Sequence, residues 1–340
     1  MRSINNNLRQ GLLLGLVLAL ALLAMACGNG DGDSETEHVT VKLALDWYPN
    51  ANHLGLFIAQ EKGYFDDEAL EVDFYTPVDP TTVLVTVGSG EDDFGISYQP
   101  DVLLARAQGV PVVSVAGMVQ HPLNSVMALK SSGIESPRDL VGKKVGYPGI
   151  PTNEPLLDTM LKADGVTGGL AEVTLVNVGF DLAPALISGM VDAVVGAYWT
   201  HESILVENQG HPVNIMRMEE WGVPDYYELV LVASEDAVRN RADVIERFVR
   251  ALSRGYQDAV ADPQAGVDIL LQGTEEEVDE AIERPGADLL APVWRTDTAQ
   301  FGQQDSARWE DFTRWMQENG LLAAEVNAGD AFTDRFTGDR

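Results

Sequence analysis

Residues 46–53, DWYPNANH, bring an acid, two aromatics, two amides and a histidine into one short stretch. Such a group could do acid–base chemistry, hold a metal or cradle a ligand. Zinc needs several His or Cys donors at close spacing. The histidines (His38, His53, His121, His201, His211) are scattered with no H-x-x-x-H pair, and Cys27 is the only cysteine. No G-x-x-x-x-G-K-[ST] phosphate loop, no G-x-G-x-x-G after a strand and no G-x-S-x-G elbow occurs. Acid pairs such as Asp92-Asp93 and the run Glu275 to Glu277 read as solvated faces in so acidic a chain. The expectation is no catalytic residue, no metal and no cofactor.

What recurs is an aromatic or polar residue where a strand hands over to a loop. Asp46-Trp47-Tyr48 ends VTVKLAL, Tyr98-Gln99 ends DFGISY, and Tyr147 ends KKVGY. Tyr198-Trp199 ends VDAVVGA, with His201 and Glu202 next. Ligands of α/β sheets sit outside the carboxyl ends of strands, and aromatic walls with a few polar groups suit a flat, polar small molecule. Here a glutamate can accept from an exocyclic amine, and Asn50 can both donate and accept.

The elements that must hold these residues alternate short β-rich runs with helical periods. VTVKLAL, LEVDFY, DFGISY and VPVVSVAGM read as strands, with LGLFIAQEKG, TTVLVTVGSG and PDVLLARAQG as glycine-punctuated helices. A second set reads SVMALK, KKVGYP, EVTLVNV and VDAVVGAYW as strands. NEPLLDTMLKADG, DLAPALISGM and HESILVENQG are its helices, and YYELVLVAS follows as one more strand. This βαβ rhythm predicts an α/β protein of two lobes. The chain is expected to pass between them at Gly117–Ser125 and Trp221–Glu228, giving 39–120 with 228–340 as lobe 1 and 121–227 as lobe 2. Beyond Asp236 the pattern turns helical. Ile245, Phe248, Leu252 and Tyr256 form an apolar stripe, and Phe301 to Leu322 a further helix with Trp309, Phe312 and Trp315. No repeat of 20 to 50 residues is present.

The amino terminus supplies an address. Arg2 and Arg9 precede an uncharged apolar run from Gly11 to Ala26, at about 16 residues too short to span a bilayer and suited to a secretory signal. It ends in LAMAC, which resembles a bacterial lipobox, so residues 1–26 are expected to be removed and Cys27 to be lipidated. GNGDGDSETE then reads as a flexible tether within 27–38. The formal net charge is −31 and grows by two negative units once Arg2 and Arg9 are lost. So acidic a chain lacks the basic footprint of nucleic-acid binding and is not drawn to anionic lipid.

LDWYPNANH, LFIAQEKGYF, SYQPDVLLARAQGVPV, HPLN, DLVGKKVGYPGIP, VGFDLAPAL and GVPDYYELVLVAS resemble the thiamine-precursor binding lipoproteins of ABC importers, which capture formylaminopyrimidine. The resemblance runs over roughly residues 40 to 320 and is collinear. It implies a type II periplasmic-binding-protein fold, two lobes joined by two hinge crossings and closing on the ligand. It implies Trp47 as the wall on which the pyrimidine stacks and Asn50 as a polar contact. The ligand-binding set it implies is Asp46, Trp47, Asn50, His53, Tyr98, Tyr147, Glu154, Tyr198, Glu202 and Tyr227. Trp199 is bulkier than the family pattern suggests, which bears on pocket size. The implied partners are a permease and a cytoplasmic ATPase, with the receptor a monomer. A eukaryotic pyrimidine synthase resembles the front half of the chain but carries a cysteine-rich motif that this sequence lacks. The remaining alternatives are a receptor of the same group for another flat heterocycle, such as riboflavin, and a purely structural surface lipoprotein. The latter leaves the repeated strand-end aromatics without a purpose.

Overall fold

The computed structural model describes residues 38–295 and 300–338. The expected signal peptide, the lipidation at Cys27 and the tether up to Glu37 lie outside the described residues. Two five-stranded sheets carry the architecture, with strand orders β2-β1-β3-β10-β4 and β7-β6-β8-β5-β9.

In the first sheet β1 (Val39–Ala44) runs parallel to β2 (Leu70–Tyr75) and β3 (Phe94–Ser97). β10 (Leu229–Ser234) lies antiparallel between β3 and β4 (Val112–Val119). Every residue of β4 is buried, as its unbroken run VVSVAGMV requires of a covered strand. In the second sheet β6 (Lys144–Tyr147) runs parallel to β7 (Thr174–Asn177) and β8 (Ala193–Tyr198). β5 (Asn124–Leu129) lies antiparallel to β8 and to β9 (Val213–Arg217). β9 was not expected from the sequence: only Val213 and Met216 of its five residues are buried, so it shows no clean alternation.

Helices follow the parallel strands. α1 (Leu54–Glu61) and the single-turn α2 (Tyr64–Asp67) follow β1, separated by Gly63 at φ 70°. α3 (Val83–Ser89) and α4 (Gln99–Ala107) follow β2 and β3, and α5 (Asn153–Ala163), α6 (Leu182–Ile187) and α7 (Glu202–Asn208) serve the second sheet. After β10 come α8 (Glu235–Asn240), α9 (Ala242–Ala261), α10 (Pro263–Gly273), α11 (Glu280–Leu290) and α12 (Ser306–Glu318). The stripe read from the sequence is the buried face of α9. Phe248 stacks between Phe65 and Phe94 at centroid separations of 5.1 and 4.4 Å. α9 lies so close to α1 that a Cβ on Gly255 would stand 2.0 Å from the Gly55 carbonyl oxygen. The helix expected over 301–322 is shorter, because Asp305 caps α12 by accepting from the amides of Ala307 and Arg308. The chain on either side of α12 edges β4 instead: Gly117 donates to Gly302, Ser114 to Ala331, and Thr333 to Ser114.

The chain passes from the first sheet to the second between Val119 and Asn124 and returns between Arg217 and Leu229. Glu228, 1% exposed, ties the two passages together. It accepts from the amides of Leu123 (2.7 Å) and Asn124 (3.4 Å), from Asn124 Nδ2 (3.1 Å) and from the Tyr198 hydroxyl (2.7 Å). Burial raises its carboxyl above the usual range, although these donors pull the other way.

Two measurements follow from this packing. Gly255→Ala should lower stability by about 1–3 kcal/mol in urea titration despite its better helix propensity, since backbone blocks the new methyl. Gly266→Ala, facing only the movable ends of Ile58 and Leu54 at 3.1 Å, should cost less; equal costs would show that α1 and α9 can part freely. Glu228→Ala takes the acceptor from the Leu123 and Asn124 amides and the Tyr198 hydroxyl, while Asn124 Nδ2 keeps Tyr226, and should cost about 3–5 kcal/mol. Because Glu228 binds its proton more tightly when folded, its contribution is complete below the ordinary glutamate pKa of about 4.3. It is lost as pH rises through the raised folded value. The stability of the wild type relative to E228Q should therefore fall over that window, and a pH-independent difference would contradict a raised Glu228.

Candidate functional site

The turn after β1 is built around a buried hydrogen-bond network. Asn50 caps the short helical turn Ala51–His53: its Oδ1 accepts from the backbone and side chain of Asn52 (both 2.9 Å), and its Nδ2 donates to the Tyr48 carbonyl (2.8 Å). The Asn50 amide donates to His53 Nδ1 (3.3 Å), which leaves His53 Nε2 facing Asp46 Oδ1 at 2.8 Å. Asp46 Oδ2 accepts from the Tyr98 hydroxyl at 2.8 Å. His53 is fully buried and Asp46 nearly so, so this acid and histidine brace the loop from beneath. Glu283 on α11 adds a brace from the side, its Oε2 accepting from the Ala51 amide at 2.6 Å; burial raises its carboxyl.

With its polar groups spent on the turn, the loop pushes its aromatics outward. Trp47 is 37% exposed and stands edge-on to Tyr48 at 5.5 Å. On its other side it meets Phe180, which follows β7 of the second sheet, at 5.0 Å and a 44° tilt. Phe180 is itself 64% exposed. Two exposed rings, one from each sheet's loops, thus meet across the gap between lobes. The lobes also touch where Asn208 Nδ2 of α7 donates to the Ala281 carbonyl of α11 (3.1 Å). A further contact runs from Trp315 Nε1 of α12 to Thr159 Oγ1 of α5 (3.1 Å).

Beneath the rings, Tyr98 and Tyr198 bring hydroxyls from the two sheets to Asp46 and Glu228. Burial, reinforced by those carboxylates, pushes both phenols well above their usual range, so they stay protonated and donate. Glu202 accepts from the Tyr198 amide at 2.7 Å and faces His201 Nδ1 at 2.9 Å. Burial pulls His201 down, but the bond to Glu202, with Glu283 and Asp279, raises it on balance. Tyr147 closes β6, and Glu154 lies in the first turn of α5, both half-buried.

The expected residues therefore divide. Asp46, His53 and Tyr98 form one network, and Asn50 is a capping residue whose side chain is already engaged. Trp47 is at the rim, while Tyr147, Glu154, Tyr198 and Glu202 belong to the second sheet's strand ends and helix starts. Tyr227 is buried at 1% exposure. Its ring packs on Trp309 at 6.3 Å and its hydroxyl accepts from the Asp305 amide at 2.6 Å. Trp199 turns away as well. It is 5% exposed, its indole donates to the Pro122 carbonyl (3.0 Å), and the Arg217 guanidinium covers its ring at 3.9 Å. Its bulk fills the crossing between lobes. Sequence reading missed Phe180, although it lies just past a strand end like the other aromatics. Glu228 carried no signal among so many acids. Among the described residues no group of three or more His, Cys, Asp or Glu side chains is placed to hold a metal ion.

The chain is similar to known proteins in both sequence and fold. The family model described as NMT1/THI5 like matches residues 50–266. The formylaminopyrimidine-binding protein of Halalkalibacterium halodurans is 41% identical over 297 residues, 86% of this chain and 89% of that protein. The 4-amino-5-hydroxymethyl-2-methylpyrimidine phosphate synthase of Schizosaccharomyces pombe is 29% identical over 64% of this chain and 65% of its own length. Among solved structures, the periplasmic aliphatic sulphonate binding protein SsuA from Escherichia coli superposes with a TM-score of 0.69 at 14% identity. The match covers 86% of this chain and 96% of that one. The alkanesulfonate-binding protein SsuA from Xanthomonas axonopodis pv. citri gives 0.65 at 14% identity, over 87% and 99%. With two mixed five-stranded sheets linked by two crossings and this family match, the chain belongs to the NMT1/THI5-like family and has the type II periplasmic-binding-protein fold.

Proposed function

We propose that this chain is the extracytoplasmic receptor of an ABC importer, capturing formylaminopyrimidine between its two lobes for thiamine salvage. The observation that carries this is the meeting of Trp47 and Phe180 across the gap between lobes. Two exposed rings rising from a turn and a strand end offer flat faces that a planar heterocycle can separate and stack upon. The likeness to the binding protein of Halalkalibacterium halodurans supports the ligand. In this reading 39–120 with 228–340 form lobe 1 and 121–227 lobe 2. Trp47 stacks on the pyrimidine, and Tyr147, Glu154, Tyr198 and Glu202 supply aromatic and polar contacts from the opposite lobe. Asp46, Asn50, His53 and Tyr98 hold the Trp47 loop in place. Contacts from both lobes favour the closed state, and that differential affinity drives closure.

The receptor works without catalysis. It is held to the membrane by a lipid on Cys27, acts as a monomer and delivers its ligand to a permease driven by a cytoplasmic ATPase.

Titration of the purified full-length chain with formylaminopyrimidine, hydroxymethylpyrimidine, thiamine and riboflavin, followed by tryptophan fluorescence and calorimetry, tests this reading. Formylaminopyrimidine should bind and perturb the fluorescence; silence toward every pyrimidine alongside tight riboflavin binding would overturn the ligand. Trp47→Ala should weaken binding by about 1–3 kcal/mol, on the scale of base–aromatic stacking. Phe180→Ala should weaken it in the same direction, and full affinity in both variants would remove these rings from the site.

A further inference from the structure

At the start of α5 the side chain of Asn153 is 3% exposed, and its Oδ1 has no hydrogen-bond partner. Leaving a buried polar group unpaired costs stability, so native proteins rarely retain one without a use. The surrounding backbone is shaped to admit this amide. β8 bulges where it pairs with Ser125 and Val126 of β5, and Gly196 at the bulge has φ +95°. A Cβ there would stand 3.0 Å from Pro148 Cδ and 3.1 Å from Asn153 Nδ2. Any side chain at 196 would thus crowd the amide, and the bulge redirects the strand toward Tyr198. Asn153 is thereby held against Gly196 of β8 at the start of α5, just past the carboxyl end of β6 and next in sequence to Glu154.

We infer that Asn153 reads the edge of the bound heterocycle, pairing its amide with an exocyclic amine and the ring nitrogen next to it. The inference rests on the proposed aminopyrimidine ligand and deepens it. An aminopyrimidine presents a donor beside an acceptor along one edge, and a carboxamide is the side-chain group that presents the complement, one acceptor and one donor in a plane. The same match pairs asparagine with the N6/N7 edge of adenine. The division of labour is then physical. Trp47 contacts the face of the ring from lobe 1 and is tolerant of what the ring carries. Asn153 contacts the edge from lobe 2 and is not. A ring bearing a carbonyl in place of the amine sets acceptor against acceptor and donor against a ring N–H, and pairs only after the amide turns over against Gly196.

The test measures binding of formylaminopyrimidine and of its 4-oxo analogue, in which oxygen replaces the exocyclic amine, to the full-length wild type, N153A and N153L. Wild type should favour the amine by roughly 10- to 100-fold, the discrimination expected of one bidentate pair. Both variants should bind the amine more weakly by a similar factor and lose most of the preference. Their unliganded melting temperatures should stay close to wild type, because Oδ1 has no partner to lose. Unchanged preference in the variants, with wild-type binding intact, overturns the role of Asn153 alone. A lowered melting temperature with unchanged preference does the same and makes Asn153 a structural residue. Failure of the wild type to bind formylaminopyrimidine overturns both this inference and the receptor reading beneath it.

Discussion

The geometry of the cleft depends on one buried carboxylate. Glu228 sits where the chain returns to the first sheet, yet its closest partners lie on the other passage or in the second sheet: Leu123, Asn124 and Tyr198. A carboxylate taken out of water is costly, and one surrounded by four donors is retained only while all of them remain in position. The two passages therefore behave as one joint. Relative motion of the lobes must turn about this point, and the parts far from it move most. Trp47 and Phe180, at the tips of loops on opposite lobes, meet across the gap, and hydrogen bonds from Asn208 to Ala281 and from Trp315 to Thr159 add further inter-lobe contacts. A joint fixed by several hydrogen bonds, with lighter contacts elsewhere between the lobes, is what a clamp requires.

The same logic explains why the loop that looks most like chemistry is mainly scaffold. Asp46, Asn50 and His53 satisfy one another and the backbone of a tight turn, with Tyr98 and Glu283 completing the set, while Asn52 donates to Asn50 and keeps its own Oδ1 without a partner. Their ionisable groups are committed to neighbours, so little acid–base capacity faces the gap. What the network achieves is to hold two large aromatics where burial would otherwise be favoured. An exposed indole is unfavourable in itself, and a braced turn keeps it from collapsing onto the sheet.

This exchange of roles marks the limit of what the sequence disclosed. The βαβ rhythm, the apolar stripe of α9 and the aromatics at strand ends were legible because periodicity and turn residues are local properties. Tyr227, implied by the resemblance alone, packs on Trp309 with its hydroxyl on the Asp305 amide, surroundings set by residues far along the chain that no local pattern discloses. β9 escaped because an edge strand with Asn214, Ile215 and Arg217 turned partly to solvent lacks the alternation that marks half-buried strands. Glu228 and Asn153 are defined only by what surrounds them. No spacing rule shows that a given acid will collect four donors, or that a given amide will find none.

Electrostatics bring these strands together. A chain of formal charge −31 should repel anions and attract cations, yet the proposed ligand is an uncharged heterocycle. The acids nearest the gap resolve the discrepancy. Asp46 is matched by His53 and Tyr98, Glu228 by amides and a phenol, and Glu283 by the Ala51 amide. Each carboxylate has its donors within the protein, so the negative charge of the chain stays on its solvated faces, where salt screens it within about 10 Å at ordinary ionic strength. In the proposed site, recognition then falls chiefly to groups with no net charge, the faces of Trp47 and Phe180 and the amide of Asn153, with Glu154 and Glu202 as acceptors from the second lobe. A site of that kind selects by shape and by the order of donors and acceptors along an edge, and its affinity should depend little on salt.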